Sequence, residues 1–375
     1  MKPTIDGHCR SGGRAWPACG FKRVLGPAVL LACASGAAAA QSSLTVFGLL
    51  DVGLVRESGG AAGAMTRVSS GVSNGSRLGF KGTEALGGGW SALFMLESGL
   101  QLDSGATGQG GVLFGRQSYL GLRGPLGGVT VGRQYTPHFD TLVLADPFSS
   151  GLTGDAKNLM PSSGDASTRM TNAVKYTSPN YAGAYGELAY APGGSAAGGG
   201  AGRQLGGALD YAAGPWHLRL GYHYRNTDTP AGRHGGARNT LLAATWDAGR
   251  IKLHLGYGID KGIDSSPLRN PGNPYGYATP PAASTDSTDL LLGLSVASGR
   301  HTLMASWVRK DDRTVPDRDA HQFALGHRYA LSRRTDTYLT LTRIRNRNGA
   351  GYAAGNAIET GSGSRAVGAG LRHQF

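Results

Sequence analysis

Three segments of this chain alternate apolar and polar side chains with a strict two-residue period. From Trp216 to Arg225, aromatic and aliphatic residues occupy every second position, and histidine, arginine or glycine fills the positions between them. The same period returns from Ile251 to Asp260 and from Val367 to Phe375. A period of two is typical of an antiparallel strand with one apolar and one polar face. Repeated segments of this kind predict an all-β fold, either a transmembrane barrel or a soluble sandwich.

The first forty residues have the pattern of a secretory leader. A basic pair at Lys22 and Arg23 precedes a short apolar stretch, and a run of small residues ends at Ala40. These features predict a signal peptide over 1–40, cleaved after Ala40, and one mature domain over 41–375. The chain is therefore expected to leave the cytoplasm.

The cysteines support export without disulfides. Cys9, Cys19 and Cys33 all lie in the predicted leader, so the predicted mature chain gains its stability from strand pairing and burial. Residues 30–33 also resemble a lipoprotein processing box, an alternative that the sequence leaves open. After Ala40 no apolar run reaches about 18 residues, which excludes helical membrane spans on length.

Composition and charge narrow the class further. Glycine supplies 63 of the 375 residues, far above its usual share of about 7%, and such a chain is poor in helix formers. The formal net charge is +13, and removing the leader, with five basic residues and one acid, leaves +9. The basic residues are spread singly among the strands rather than clustered, which argues against a nucleic-acid partner.

Alternating segments bounded by turn-forming residues predict sixteen strands, and closure of an outer-membrane barrel needs an even number. They lie near 43–55, 75–84, 90–100, 113–124, 128–135, 171–179, 184–191, 204–213, 215–226, 238–248, 250–260, 287–298, 300–311, 319–331, 335–346 and 363–375. Short turns alternate with long joins, apart from a brief join over 312–318. This segregation favours an outer-membrane barrel over a sandwich.

The cost of charge in lipid assigns the two faces of these strands. An arginine or lysine turned to lipid at mid-bilayer costs about 2–4 kcal/mol in a barrel, so the charged positions are expected to face inward. A polar interior holds water, and about sixteen strands enclose an aqueous channel. The residues predicted to face this lumen are Lys81, Glu97, Arg133, Arg219, Lys252, Arg328 and Arg372.

Five stretches, in order and spacing, resemble the general porins of the Gram-negative outer membrane, in their beta-proteobacterial form. The stretches are SSLTVFGLLDVGL (42–54), SRLGFKGTEALGGGWSALFMLESG (76–99), LFGRQSYLGLRGPLGGVTVGRQYTP (113–137), NAVKYTSPNY (172–181) and GLRHQF (370–375). The resemblance implies a homotrimer of sixteen-stranded transmembrane antiparallel β-barrels, each with its third long loop folded inward. Such a protein is a channel for passive diffusion of small hydrophilic solutes and ions.

The resemblance also implies several partners. These are the lipid bilayer and lipopolysaccharide of the outer membrane, small inorganic and organic ions in transit, and the barrel assembly machinery. The assembly machinery would recognise the C-terminal strand, with Phe375 as the assembly signal. The loop over 101–112 would latch onto a neighbouring subunit.

The family narrows each pore between the inward loop and a ladder of wall arginines. By motif, the ladder corresponds to Arg77 of SRLGFKG, Arg116 of FGRQSYLGL and Arg169 just before NAVKY. The inward loop corresponds to about 138–168 and lacks the Pro-Glu-Phe-Gly turn of enteric members. It offers four acids to face the ladder, Asp140, Asp146, Asp155 and Asp165. Two unit charges about 10 Å apart in water interact by roughly 0.4 kcal/mol, so we expect a several-fold preference for anions.

Other functions remain as alternatives. A solute-specific outer-membrane channel with a weak saturable binding site is the nearest of them. A barrel hydrolase would use a serine or histidine from separate strands, which spacing cannot reveal. The sequence contains no phosphate-cradling loop, nucleophile elbow or metal-spaced histidine set, so we expect no catalytic residues, no cofactor and no metal.

Overall fold

The computed structural model describes residues 42–161, 165–193, 200–229, 232–266, 268 and 271–375. The predicted signal peptide over 1–40 lies outside these residues. Within the part that is described, no helix is both long enough and apolar enough to cross a membrane.

Antiparallel strands dominate the described residues. Their bounds are β1 Ser43–Gly60, β2 Gly63–Ser70, β3 Arg77–Gly87, β4 Trp90–Gly99, β5 Gln117–Gly124, β6 Gly127–Tyr135, β7 Arg169–Thr177, β8 Ala184–Ala191, β9 Gln204–Ala213, β10 Trp216–Asn226, β11 Gly236–Asp247, β12 Ile251–Ser266, β13 Ser284–Ser298, β14 His301–Asp312, β15 Ala320–Ala330, β16 Thr335–Asn346 and β17 Arg365–Gln374. Two short helices, α1 (Pro137–Ala145) and α2 (Asp165–Thr168), lie between β6 and β7.

The sheet closes on itself through β1. One edge of β1 pairs with β3 over 43–49 and with β2 over 52–60, so β2 and β3 act as two halves of one barrel strand. The other edge of β1 pairs with β17 over 49–58. Counting β2 and β3 together, the described residues form a closed barrel of sixteen antiparallel strands. The prediction of sixteen strands is confirmed, and closure excludes the sandwich.

The first long join differs from the prediction. The sequence predicted an irregular connection from Arg56 to Asn74, whereas β1 continues to Gly60 and returns as β2. Gly60 pairs with Gly63 across a tight turn, and Gly63 has a φ of 79°. The glycine- and alanine-rich sequence of this hairpin has no two-residue period, because few of its residues have a face to bury.

Side-chain exposure follows the predicted two faces. On β10, Trp216, Leu218 and Leu220 are exposed on the outer surface, whereas Arg219 and His223 are buried on the inner side. An apolar exterior around a polar interior is the reverse of the arrangement in a water-soluble protein. The outer surface is therefore suited to lipid and the inner surface to water.

Candidate functional site

The connection between β6 and β7 folds into the barrel. Its helix α1 is capped by Thr136, whose Oγ1 accepts a hydrogen bond from the backbone N of Phe139 at 3.0 Å. Pro137 takes the first helical position, where its missing N–H loses no hydrogen bond. The helix then packs against the inner wall formed by β8 to β12. The Thr-Pro pair that ends the RQYTP motif thus starts the segment that narrows the lumen.

A row of glycines on the inner wall lies beneath this inward loop. A Cβ atom on Gly221 of β10 would lie 2.3 Å from Thr141 Oγ1, and one on Gly326 of β15 would lie 2.7 Å from the ring of Phe148. Side chains at these positions would push the loop away from the wall. The other members of the row are Gly206, Gly256, Gly293 and Gly368, which lie against Pro137, Ala145, Pro147 and Thr153.

Side-chain hydrogen bonds fasten the far end of the loop. Asn158 Nδ2 donates to Gln322 Oε1 at 2.8 Å, and Gln322 Nε2 donates to the carbonyl of Gly154 at 2.9 Å. The hydroxyls of Thr153 and Thr342 lie 2.8 Å apart. These bonds attach the loop to β15 and β16, while α1 is packed on β8 to β12. The loop is therefore attached to the inner wall at both of its ends.

Glu97 of β4 joins two of the predicted ladder arginines. Its Oε1 accepts hydrogen bonds from Arg77 Nη1 at 3.1 Å and from Arg116 Nε at 3.0 Å. Its Oε2 accepts from Gln117 Nε2 at 2.9 Å, and the side chain is only 2% exposed. A single carboxylate neutralises one of the two guanidinium charges. The trio keeps a net positive charge.

Tyr135 links Arg116 to the third arginine. Its hydroxyl accepts from Arg116 Nη2 at 2.7 Å and from Arg169 Nη2 at 3.3 Å. The guanidinium of Arg169 lies over the Tyr135 ring, 4.8 Å from its centroid, in a cation–π contact. The same ring also stacks on Phe139 of α1, with the two ring centroids 5.0 Å apart. The three arginines are thereby held together on the wall beside the loop.

These side chains and the loop line a cavity of about 900 Å³. Among its lining residues, Asp140 of α1 is the acid, and four are basic: Arg77, Arg116, Lys157 and Arg169. Asp140 Oδ2 lies 3.9 Å from Lys175 Nζ. Asp140 belongs to the loop rather than to a membrane-spanning strand, and its side chain is 38% exposed. Partial withdrawal from water raises its pKa above the usual value, an effect that Lys175 opposes.

The other predicted loop acids lie elsewhere. Asp146 is 1% exposed and accepts three backbone N–H hydrogen bonds, at 3.0 to 3.1 Å, from within the loop. Asp155 is fully buried, and its Oδ2 lies 3.2 Å from Lys157 Nζ. The expectation that these two acids face the arginines is therefore corrected, because both hold turns of the loop. Asp165 is the first residue of α2, and its side chain lies outside the described part of the protein.

Three other predicted lumen residues lie on inward positions of their strands. Lys81 Nζ is 5.5 Å from the centroid of the Phe47 ring. Lys252 lies near the short-turn rim, 4.0 Å from a carboxylate oxygen of Asp247. Arg219 is 5% exposed and donates to Thr141 Oγ1 at 3.2 Å, so it ties α1 to β10.

Arg133 lies on the opposite face from the one that we predicted. It is in register with Ser118, on the outward side of β5 and β6. A bulge next to Gly132, which has a φ of 136°, shifts the register just at this point. The guanidinium donates to the carbonyl of Gly115 at 2.7 Å and to Thr171 Oγ1 at 2.6 Å. The extra residue of this bulge lies on β7, so Arg133 continues the outward face of the exposed Val129 and Val131. The inward prediction depended on the cost of charge in lipid rather than on this period.

A second charged cluster lies on β15 to β17, on the other side of β1 from the arginines described above. Arg372 Nη2 and Arg328 Nε lie 2.6 and 3.4 Å from the carboxylate of Asp336. Arg372 Nη1 also donates to Asn74 Oδ1 at 2.7 Å, and Asn74 lines the cavity. The sequence predicted that the two arginines face inward but did not identify Asp336, although it shares the inward side of β16 with Tyr338.

The described residues contain no group of three or more histidine, cysteine, aspartate or glutamate side chains that could hold a metal ion.

The closed barrel, its apolar exterior and its cation-lined narrowing together define a water-filled β-barrel channel. The Gram-negative porin family matches residues 28–349, and the chain belongs to this family.

Similar proteins agree with this assignment. The chain is 29% identical to an outer membrane porin protein of Bordetella pertussis, over 95% of this chain and 100% of that protein. It is 30% identical to outer membrane porin protein 32 of Delftia acidovorans, over 93% of this chain and 98% of that protein. The solved structure of an anion-selective porin from Comamonas acidovorans matches with a TM-score of 0.70 at 27% identity, covering 89% of this chain and 100% of that one. The protein is an outer-membrane diffusion channel for small hydrophilic solutes, as the sequence predicted.

Proposed function

We propose that this channel passes small anions in preference to cations, and that Arg77, Arg116 and Arg169, facing Asp140 on α1, set the preference. The observation that supports this most directly is the cavity lining, which contains three arginines, Lys157 with its buried partner Asp155, and one acid, Asp140. The similar solved porin described as anion-selective gives independent support.

The expected preference is modest. Glu97 offsets part of the arginine charge, and water in the channel screens what remains. A unit charge about 10 Å away in water is worth roughly 0.4 kcal/mol, so several cations together favour anions by a few-fold. Weak interactions also suit a conduit whose solutes must leave as readily as they enter. We propose passive passage without chemical change of the solute, and no catalytic role for any residue.

Assembly is proposed on the same basis. We infer a homotrimer whose loop over 101–112 reaches a neighbouring subunit, cleavage after Ala40, and assembly through the C-terminal strand. In support of a role for Phe375, its backbone pairs in both directions with Gly48 at 3.0 and 3.1 Å, and its ring covers Gly48 at the barrel seam. Strand β1 begins at Ser43, close behind the predicted cleavage site.

The test is the reversal potential of the purified protein in a planar bilayer under a potassium chloride gradient. Wild-type protein should favour chloride, and the double variant Arg77→Gln/Arg116→Gln should shift the potential toward cations. Lys252→Gln removes an inward cation near the short-turn rim and should produce a smaller shift. Cation selectivity in the wild type would overturn the proposal. Conductance that saturates with solute concentration would instead favour the solute-specific channel.

A further inference from the structure

Apolar side chains share the constriction cavity with the arginines. Its described lining includes Phe139 and Val143 of α1, Leu268 from the join between β12 and β13, and Ile358 from the join between β16 and β17. Each of these four residues is only partly buried. Apolar surface that stays in contact with water is unfavourable, and a solute with an apolar surface of its own would cover it.

Ile358 and Arg116 meet at Gly75. A Cβ atom on Gly75 would lie 3.1 Å from Ile358 Cγ2 and 2.8 Å from Arg116 Nη1. Gly75 itself lines the cavity. Because glycine has no side chain, it leaves a gap that is bordered by both a methyl group and a guanidinium group. A solute that enters this gap contacts an apolar group and a cationic group together.

The same combination of charge and apolar surface recurs at α1. Phe139 stacks on Tyr135, the ring of Tyr135 lies beneath the guanidinium of Arg169, and its hydroxyl accepts a hydrogen bond from Arg116. Val143 lies four residues after Phe139, so the two side chains share one face of the helix. The inward loop therefore presents an apolar strip beside the arginines.

The segment that carries Ile358 is fastened to the inward loop. Lys157 Nζ donates a hydrogen bond to the carbonyl oxygen of Ala357 at 3.1 Å. Asn158 Oδ1 accepts another from the backbone N of Gly355, also at 3.1 Å. These bonds hold Ile358 at the cavity, so its apolar surface is a fixed part of the lining.

We propose that the constriction favours small organic anions that carry an apolar group, such as an aromatic ring, over polar anions of equal charge and size. The acidic group of the solute lies beside Arg77 and Arg116, and its apolar group covers Val143 and Ile358. Sites with apolar walls and a few charged groups select ligands that match both features. This inference rests on the proposed anion preference and deepens it by naming a class of solute.

The test compares two anions of the same shape and charge, benzenesulfonate and pyridine-3-sulfonate, in planar bilayers that contain the purified mature protein. The ring nitrogen of the second anion must give up a hydrogen bond to water when it lies against apolar side chains. Reversal potentials measured against chloride give the permeability of each anion. In the wild type, benzenesulfonate should be about threefold more permeant than pyridine-3-sulfonate.

Two variants remove the apolar surface independently. Val143→Thr/Ile358→Thr should bring the permeability ratio of the two sulfonates close to one, because each threonine keeps a branched Cβ but adds a hydroxyl. Leu268→Asn lies on a different join from α1 and should lower the ratio in the same direction. The matched control is Val315→Thr, which makes the same change at a fully exposed position outside the cavity and should keep the wild-type ratio.

The two proposals fail in different ways. Equal permeability of the two sulfonates in the wild type, or an unchanged ratio in either the threonine pair or Leu268→Asn, would overturn this inference and leave the anion preference intact. Cation selectivity of the wild type in potassium chloride would overturn the proposed function, and this inference with it.

Discussion

Glu97 and Arg116 form an ion pair in which Oε1 lies 3.0 Å from Nε, and both side chains are less than one-tenth exposed. Because Arg77 donates to the same oxygen, this carboxylate supplies one negative charge to two guanidinium groups. The charge that a passing ion meets is therefore set by the buried acid as well as by the arginines in front of it.

Replacing Glu97 with glutamine should raise the permeability ratio of anions to cations by about twofold. Glutamine keeps the shape of the side chain but removes a unit charge, worth roughly 0.4 kcal/mol at about 10 Å in water. The ratio follows from the reversal potential under a salt gradient. Glu84→Gln, on the outer surface near the short-turn rim, is the matched control and should leave the ratio unchanged. A ratio that falls in Glu97→Gln would contradict this view of the cluster.

Replacing Gly221 with alanine should narrow the channel. The new methyl group would meet Thr141 Oγ1 at 2.3 Å and displace α1 from β10 toward the lumen. We expect lower single-channel conductance and a loss of stability of about 1–3 kcal/mol, which is typical of overpacking. Gly258→Ala is the control, because the nearest atom to its added Cβ is at 3.4 Å. If both variants conducted alike, the wall glycines would not set the position of the loop.

Anion preference should increase as the pH falls from 7.5 to 5. Because the pKa of Asp140 is raised, its carboxylate gains a proton at a higher pH than an ordinary aspartate, and the ionised fraction falls as the pH decreases across this range. Protonation removes the charge of the acid that lines the cavity with the arginines, so that only Glu97 still offsets their positive charge. Reversal potentials measured across this pH range provide the check. Asp140→Asn should have a stronger anion preference at pH 7.5 and a smaller response to acidification than the wild type, because the raised pKa of Asp146 leaves a second acid in the loop that gains a proton in this range. A pH response equal to that of the wild type would refute the assignment.

Replacing Asp146 with alanine should loosen the inward loop. Three backbone N–H groups would lose their acceptor, and each buried donor left unpaired costs about 1–3 kcal/mol. We expect noisier single-channel currents and faster cleavage of the loop by added protease. Asp103→Ala removes an exposed acid from the loop over 101–112 and serves as the control. Identical behaviour of the two variants would show that Asp146 does not hold the loop.

The wall of the barrel was largely predictable from the sequence, because each strand has one face in water and the other in lipid. Positions such as Arg219 and Leu220 must then alternate, and the alternation is visible in the residue types. Strand number, closure and the inward direction of Arg328 and Arg372 follow from that single constraint. The hairpin of β1 and β2 was not predicted, because its glycines and alanines fit either face and so produce no alternation of apolar and polar residues.

The constriction was predictable only in part. Arg77, Arg116 and Arg169 were identified by motif, and the structure brings them together around Glu97 and Tyr135. The sequence could not show which loop aspartates face the cavity, because residue type does not distinguish an aspartate that caps a buried turn from one that faces water. Arg133 was misplaced for a different reason, since it was assigned inward by its charge although it continues the outward face of Val129 and Val131.

The glycine row beneath the loop has a consequence for how permeability can vary. Because Gly206, Gly256 and Gly293 lie against Pro137, Ala145 and Pro147, a change at any of them would move the loop without touching a solute. Uptake of a bulky nutrient or antibiotic could then fall through a mutation that lies behind the loop, outside the water path itself. Strains screened for altered drug entry should therefore be sequenced across the whole barrel.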